Sequence, residues 1–115
     1  MHELGIANSV LEAAQAEARR HPGARPIKVG VRVGELAGVD VDALAFSFDA
    51  LTRGTEWERV ALDIETCPRR HRCPLCHTTF RVIDYRVECP ECRVSPTEYI
   101  SGEQLELAYL ELEEP

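Results

Sequence analysis

The sequence predicts an α+β domain of two helices and a small mixed sheet, with a zinc-ribbon-like module inserted into it. Three observations predict this fold: helical apolar spacing near the start, segments that alternate between apolar and polar residues, and two CxxC motifs lying between two of those segments. At 115 residues the chain is long enough to bury one compact core. The predicted boundaries are residues 1–66 plus 100–115 for the α+β domain and residues 67–99 for the inserted module.

The first half of the chain alternates between helix and strand. Apolar residues recur at steps of three and four between residues 4 and 20, which predicts an amphipathic helix that ends at the HPG tripeptide. Residues 27–33 then alternate between valine or isoleucine and other residues, as in a strand with one buried face.

A second helix and two more strands are predicted further along the chain. After a loop at residues 34–38, Asp40 or Asp42 can cap a helix that ends near a glycine. Alternating apolar residues predict strands at residues 60–64 and 104–112.

Charge and hydrophobicity limit the function classes. The net charge of −7 argues against nucleic-acid binding, although residues 67–99 carry six arginines against four acidic residues and so keep a zinc-ribbon nucleic-acid accessory protein as the alternative. No apolar run reaches the roughly 18 residues of a membrane span, and the start lacks the features of a secretory signal. We therefore expect a cytoplasmic protein, in which the five cysteines are metal ligands or free thiols.

Two CPxC motifs separated by twelve residues predict a structural zinc site. Each motif turns two thiolates toward one point, and apolar spacing in residues 80–88 predicts a hairpin that joins the two pairs. Four sulfurs around Zn(II) form a closed tetrahedral site, which is structural and not catalytic. The predicted ligands are Cys73, Cys76, Cys89 and Cys92.

Three further residues near these motifs are candidate tuning groups. Cys67 is either a spare thiol or an alternative zinc ligand. His71 and His77 are expected to be solvated imidazoles that tune the module, with exchange into the metal site as a sharper hypothesis. An open, exchangeable Cys/His site would instead indicate a zinc-dependent enzyme.

The N-terminal tripeptide Met1-His2-Glu3 can chelate a metal. The α-amine, the His2 amide nitrogen and the His2 imidazole form fused rings in a plane, a nitrogen-rich geometry that suits Ni(II) or Cu(II). A histidine at position two is also compatible with an ordinary exposed residue before a helix.

Four segments of the sequence together resemble one known family. The segments MHELGIANSVLEAA, VGELAGVD, the pair of CxxC motifs and ISGEQLELAYLEL resemble, in this order, the HypA family of nickel metallochaperones in NiFe-hydrogenase maturation. The resemblance implies a nickel-binding α+β domain with an inserted zinc domain. The chain departs from the family pattern at Cys67 and at Arg93, where a glycine is expected after the second CxxC motif.

The resemblance also implies a nickel site at the chain start. It makes His2 the essential nickel ligand, with the Met1 amine and the Glu3 backbone nitrogen completing the plane. It places the Glu3 and Asp40 carboxylates nearby, where Asp40 could hydrogen-bond the imidazole or take an axial position. Asp40 can serve as a helix cap at the same time.

The function implied by the resemblance is nickel delivery with Zn(II) as structural cofactor and Ni(II) as cargo. The sequence contains none of the GxxxxGK[ST], HExxH and GxSxG motifs, so we expect no enzymatic activity. The implied partners are a nickel-handling maturation GTPase and the hydrogenase large subunit, with urease maturation proteins as a further option. Both a monomer and a dimer are compatible with the sequence.

Overall fold

The computed structural model describes residues 2–115 and contains two helices and six strands. This composition confirms the predicted α+β class. Among the described residues, no helix is both long and apolar enough to cross a bilayer. The elements are α1 (Glu3–Ala18), β1 (Arg25–Gly34), α2 (Val41–Thr52), β2 (Ala61–Cys67), β3 (Arg70–Arg72), β4 (Thr79–Arg81), β5 (Glu98–Ser101) and β6 (Leu105–Glu113).

The chain folds into two compact units. The first unit contains the residues up to Arg32, together with Val39–Glu65 and Leu105–Pro115. The second unit contains Val33–Gly38 and Thr66–Gln104. Residues 33–38, which are the end of β1 and the loop after it, thus lie in the same unit as both CxxC motifs, although the predicted boundaries place them in the α+β domain.

The core of the first unit lies between its sheet and its two helices. The sheet has the strand order β2–β1–β6, so β1 is central and its alternating valines are buried. Helix α1 packs against α2 and β6. Leu4, the first apolar residue of the spacing that predicts α1, is 53% exposed, whereas Ile6 is buried.

A tyrosine crosses the outer face of this sheet. The Tyr109 ring on β6 lies over Gly30 on β1, where an added Cβ would be 2.0 Å from the ring carbon Cε2. The Tyr109 hydroxyl donates to Asp63 Oδ2 on β2 at 2.5 Å, and this hydrogen bond raises the pKa of Tyr109 to about 12. A glycine is therefore required at position 30 for the ring to reach across the central strand.

The second unit is built on a small sheet with the order β4–β3–β5. In the central strand His71 lies opposite Phe80 on β4 and Tyr99 on β5. Only the turn of the hairpin predicted within residues 80–88 is present: the Arg86 N–H donates to the Ile83 carbonyl at 3.1 Å, but no strand follows the turn, and β4 ends at Arg81 and pairs with β3, which precedes the first CxxC motif. The pairing partner of β4 is therefore β3, and not residues 86–88.

Candidate metal centres

The four cysteines of the CxxC motifs converge on one point in the second unit. All four Sγ atoms lie within 4.8 Å of one another, with Cys73 3.4 Å from Cys92 and Cys76 3.6 Å from Cys89. Cys73 and Cys89 are completely buried, whereas Cys92 is half-buried and Cys76 is exposed. The cluster therefore has a buried side and a side that faces solvent.

The spacing of these sulfurs fits Zn(II). A tetrahedron with Zn–S bonds of about 2.3 Å has an S–S edge of about 3.8 Å. The sulfur separations of 3.4, 3.6 and 3.9 Å are close to this edge. Four thiolates occupy every position of a tetrahedral ion, so zinc held here would organise the fold of the unit and leave no open position for substrate.

The two motifs have the same backbone conformation. In the first, Cys73 accepts at its carbonyl from the His77 N–H at 3.0 Å, and in the second, Cys89 accepts from the Arg93 N–H at 2.9 Å. The residue after each motif is left-handed, with φ of 65° at both His77 and Arg93. Backbone N–H groups point at the sulfurs, with Leu75 and Cys76 each donating to Cys73 Sγ at 3.4 Å.

The left-handed conformation at Arg93 explains why glycine is expected there, and it leads to a stability prediction. A residue with a Cβ pays about 1 kcal/mol in this conformation, whereas glycine does not. We therefore expect Arg93→Gly to be more stable to urea than Arg93→Ala by about 1 kcal/mol. Both variants lose the same exposed side chain, so the comparison isolates the backbone. Equal urea midpoints for the two zinc-loaded variants would contradict the prediction.

The four thiols of the cluster differ in acidity. Hydrogen bonds from the Thr78 hydroxyl and backbone N–H lower the pKa of Cys76 to about 6. At Cys92 the Val94 N–H lowers the pKa, but the neighbouring Cys73 thiol and burial outweigh it and raise the pKa to about 12. Crowded thiolates repel one another, and a bound cation removes this repulsion, so metal binding would ionise all four groups.

His71 is buried, which corrects the expectation that its imidazole is solvated. Arg69 Nε donates to His71 Nε2 at 3.2 Å, so Nδ1 carries the proton and donates to Thr97 Oγ1 at 3.0 Å. The Thr97 hydroxyl in turn donates to the Val87 carbonyl. Burial, followed by the nearby Arg69 charge, lowers the pKa of His71. Both ring nitrogens are hydrogen-bonded. The neutral imidazole thus connects β3, which precedes the first CxxC motif, to Thr97, which follows the second.

The other two candidate tuning groups lie outside the sulfur cluster. His77 is exposed, with Nδ1 3.3 Å from Arg72 Nη2. Cys67 is half-buried at the end of β2, and its carbonyl accepts from the Glu35 N–H at 2.8 Å. Neither residue belongs to the four-cysteine group.

The predicted nickel ligands lie at the start of α1 in the first unit. His2 is the N-cap residue, with an extended backbone, an exposed side chain and no side-chain capping hydrogen bond. Its carbonyl accepts from the Ile6 N–H at 3.1 Å and so closes the first helical turn. The predicted Met1 ligand lies outside the described residues.

Glu3 and Asp40 connect the starts of the two helices. Glu3 Oε2 accepts from the Asp40 backbone N–H at 3.1 Å, and this hydrogen bond lowers the pKa of Glu3. Asp40 Oδ1 caps α2 by accepting from Asp42 N and Ala43 N at 3.0 and 3.1 Å. The predicted cap role of Asp40 is therefore confirmed. Among residues 2–115, the side chains of His2, Glu3 and Asp40 are not gathered into a group like the four cysteines.

Several residues that support the cysteine cluster could not be identified from sequence patterns. Glu35 Oε1 accepts from the Arg69 backbone N–H at 2.6 Å, and Glu35 Oε2 lies 3.7 Å from Arg81 Nη2. Thr97 is 26 positions from the histidine that it contacts. No periodicity or spacing links such distant positions. Only Thr78, two positions after Cys76, could have been found from its place beside the motif.

Comparisons with known proteins agree on one family. A family model described as hydrogenase/urease nickel incorporation, metallochaperone, HypA matches residues 1–112. A hydrogenase maturation factor HypA from Roseiflexus sp. strain RS-1 is 40% identical over 115 residues, which cover 99% of this chain and 94% of that protein. The corresponding factor from Geobacter metallireducens is 39% identical over 113 residues, covering 98% of this chain and all of that protein.

Two solved structures share the fold. The solution structure of the Ni metallochaperone HypA from Helicobacter pylori aligns with a TM-score of 0.65 at 20% identity and covers all of both chains. A second HypA solution structure aligns with a TM-score of 0.69 at 22% identity, covering 97% of this chain and 96% of that one. These matches do not favour the nucleic-acid alternative. The full-length family match, together with the four-cysteine site, shows that the chain belongs to the HypA family of nickel-incorporation metallochaperones.

Proposed function

We propose that this chain binds Ni(II) at its N-terminus and delivers it for NiFe-hydrogenase maturation. The observation that carries the proposal is the position of His2, which is exposed, uncapped and directly before α1. The first four N–H groups of a helix have no partner within the helix. The Glu3 nitrogen can therefore bind a metal without the loss of a helical hydrogen bond.

The proposed donors form a plane around nickel. They are the Met1 amine, the backbone nitrogens of His2 and Glu3 and the His2 imidazole, a set that suits Ni(II) better than Zn(II) or Mg(II). Protons compete for the same nitrogens, so nickel affinity should fall as the pH falls. Donors on a chain terminus can also be removed one at a time by a partner, which suits delivery.

We assign a supporting role to the hydrogen-bonded pair Glu3 and Asp40. The bond from the Asp40 N–H to Glu3 Oε2 fixes the first residue of α1 relative to the start of α2. Asp40 Oδ1 is used by the α2 cap. The other oxygen, Oδ2, would remain available to hydrogen-bond the His2 imidazole or to bind the metal from an axial position.

The remaining elements of the proposal concern the second unit and the partners. Zinc held by the four CxxC cysteines would supply a fixed tetrahedral cross-link between the two motifs. We propose that residues 67–99 act as an inserted zinc module and residues 1–66 plus 100–115 as the nickel-binding domain. Partners of the cytoplasmic chaperone would be a nickel-handling GTPase and the hydrogenase large subunit, with urease maturation proteins as a third. No catalytic reaction is assigned to the chain.

Nickel titration of the untagged, zinc-loaded chain tests the proposal. We expect one Ni(II) per chain at neutral pH, with the yellow absorption of low-spin square-planar nickel. The matched control carries Gly-Ser before Met1, which turns the free amine into a peptide nitrogen, and it should show neither the stoichiometry nor the colour. If the native chain does not bind nickel, or if the extended chain binds it equally well, the proposal of an N-terminal nickel site is wrong.

A further inference from the structure

We propose that the second unit carries a docking groove for an extended acidic peptide segment of a partner protein. The groove lies between β4 and the segment Arg86–Arg93. The groove residues belong to the second unit, whereas the proposed nickel ligands belong to the first. The proposal therefore does not depend on nickel binding.

The positive charge of the groove favours an acidic ligand. Its walls carry three arginines, Arg81, Arg86 and Arg93, against one acidic residue, Glu88. The side chains of Arg81 and Arg93 are 59% and 76% exposed, so a ligand can reach them. The acidic wall residue Glu88 lies 3.8 Å from Arg93, and Glu35, outside the wall, lies 3.7 Å from Arg81, so these two carboxylates offset two of the three arginine charges. The groove thus retains excess positive charge, and arginine pairs well with carboxylates through its planar donor pattern.

Apolar surface alternates with these charges. Ile83 is 62% exposed between Arg81 and Arg86, and it forms part of the same wall. A turn holds it there: the Arg86 N–H donates to the Ile83 carbonyl at 3.1 Å, and the two central residues, Asp84 and Tyr85, both have positive φ. A ligand with an apolar side chain between two carboxylates would match this alternation.

The edge of β4 offers backbone hydrogen bonds to such a ligand. Strand β4 is an edge strand, and the bonds Val82 N to Arg69 O and Cys73 N to Thr78 O define its hydrogen-bonded pairs with β3. In an antiparallel ladder these pairs alternate with pairs whose N–H and C=O groups point away from the partner strand. Thr79 and Arg81 occupy those alternate positions. Their outward groups can pair with an extended peptide, as in β-strand addition.

A protein ligand fits this surface better than nucleic acid does. The whole chain carries a charge of −7, which opposes a polyphosphate backbone. Bases also need a row of aromatic platforms. A short peptide needs only the local arginines and the strand edge.

A peptide with the sequence ELEVE, labelled with fluorescein at its N-terminal amine and amidated at its C-terminus, provides the test. We expect it to bind the zinc-loaded, nickel-free chain with micromolar to submillimolar affinity and to shift the Thr79 and Arg81 amide resonances in NMR spectra. The double variant Arg86→Glu with Arg93→Glu should weaken binding at least tenfold. A matched variant, Arg19→Glu with Arg59→Glu, makes the same charge change in the first unit and should bind as the native chain does. Zinc content reports that each variant is folded.

Three results would overturn the proposal. One is that the ELEVE peptide fails to bind the native chain at 1 mM, a result that needs no variant. Another is that both double variants weaken binding equally, because net charge and not the groove would then be responsible. The third is that a single-stranded oligothymidine binds more tightly than the peptide and displaces it, which would assign the groove to phosphate.

Discussion

Replacing Cys89 with serine is expected to abolish stoichiometric zinc binding and to unfold the second unit. The physical reason is the small apolar core of that unit: its buried apolar side chains are Val33, Val82 and two of the zinc ligands, Cys73 and Cys89. Zinc contributes about 10 to 16 kcal/mol to the folding of small zinc-binding peptides, far more than two buried valines can replace. Zinc content after dialysis and the dispersion of amide resonances from Thr66–Gln104 measure the effect.

Cys67→Ser is the matched control for this prediction. It makes the same chemical change at a half-buried cysteine that lies outside the four-sulfur group. We expect the Cys67→Ser chain to keep one zinc per chain and native amide dispersion. Loss of zinc from this control would show that Cys67 is a ligand, and retention of zinc by Cys89→Ser would show that the four-cysteine site is not the binding site.

The second large effect is expected for His2→Ala, which should lose the low-spin nickel absorption and at least about 100-fold in nickel affinity. Mutation of a residue that merely supports a metal ligand costs about 10- to 100-fold, and here a ligand itself is removed together with one chelate ring. Zinc should stay in place, because the four cysteines lie in the other unit. Nickel titration followed by absorption, with zinc measured in parallel, provides both readouts.

His21→Ala is the control for the nickel prediction. His21 is also exposed in the first unit, with Nε2 3.4 Å from Glu17 Oε2, and it follows the C-terminal end of α1. The substitution removes one imidazole and leaves the N-terminal residues unchanged. Equal nickel loss in the two variants would indicate adventitious binding by surface histidines and would contradict the N-terminal site.

The parts of the fold that could be predicted from the sequence depend on local spacing. Alternating valines predicted β1 because side chains in a strand alternate between faces over adjacent positions. Asp40 was predicted as a cap because capping joins a side chain to backbone two and three residues later, as the bonds to Asp42 and Ala43 do. The CxxC cysteines converge as predicted, since each motif is one tight turn.

The predictions that failed depend on contacts between distant parts of the chain. His71 was expected to be a solvated imidazole beside the first CxxC motif, yet Arg69 and Thr97 bind its two ring nitrogens within the unit. The hairpin predicted at residues 80–88 forms its turn but no paired second strand, because β4 pairs with the strand before the first motif. In both cases the local sequence was compatible with several arrangements, and packing between distant segments selected one.

The sequence by itself determined the class of fold, the cysteine site and the membership of the HypA family, because ligand type, motif spacing and helical or strand period are local properties. Tertiary structure decided which groups support those sites. Only the folded chain places Glu3 on the Asp40 amide, the Tyr109 ring on Gly30 and three arginines along one groove. The first two contacts join residues dozens of positions apart, and their free energies arise from burial and hydrogen bonding that exist only when the chain has folded.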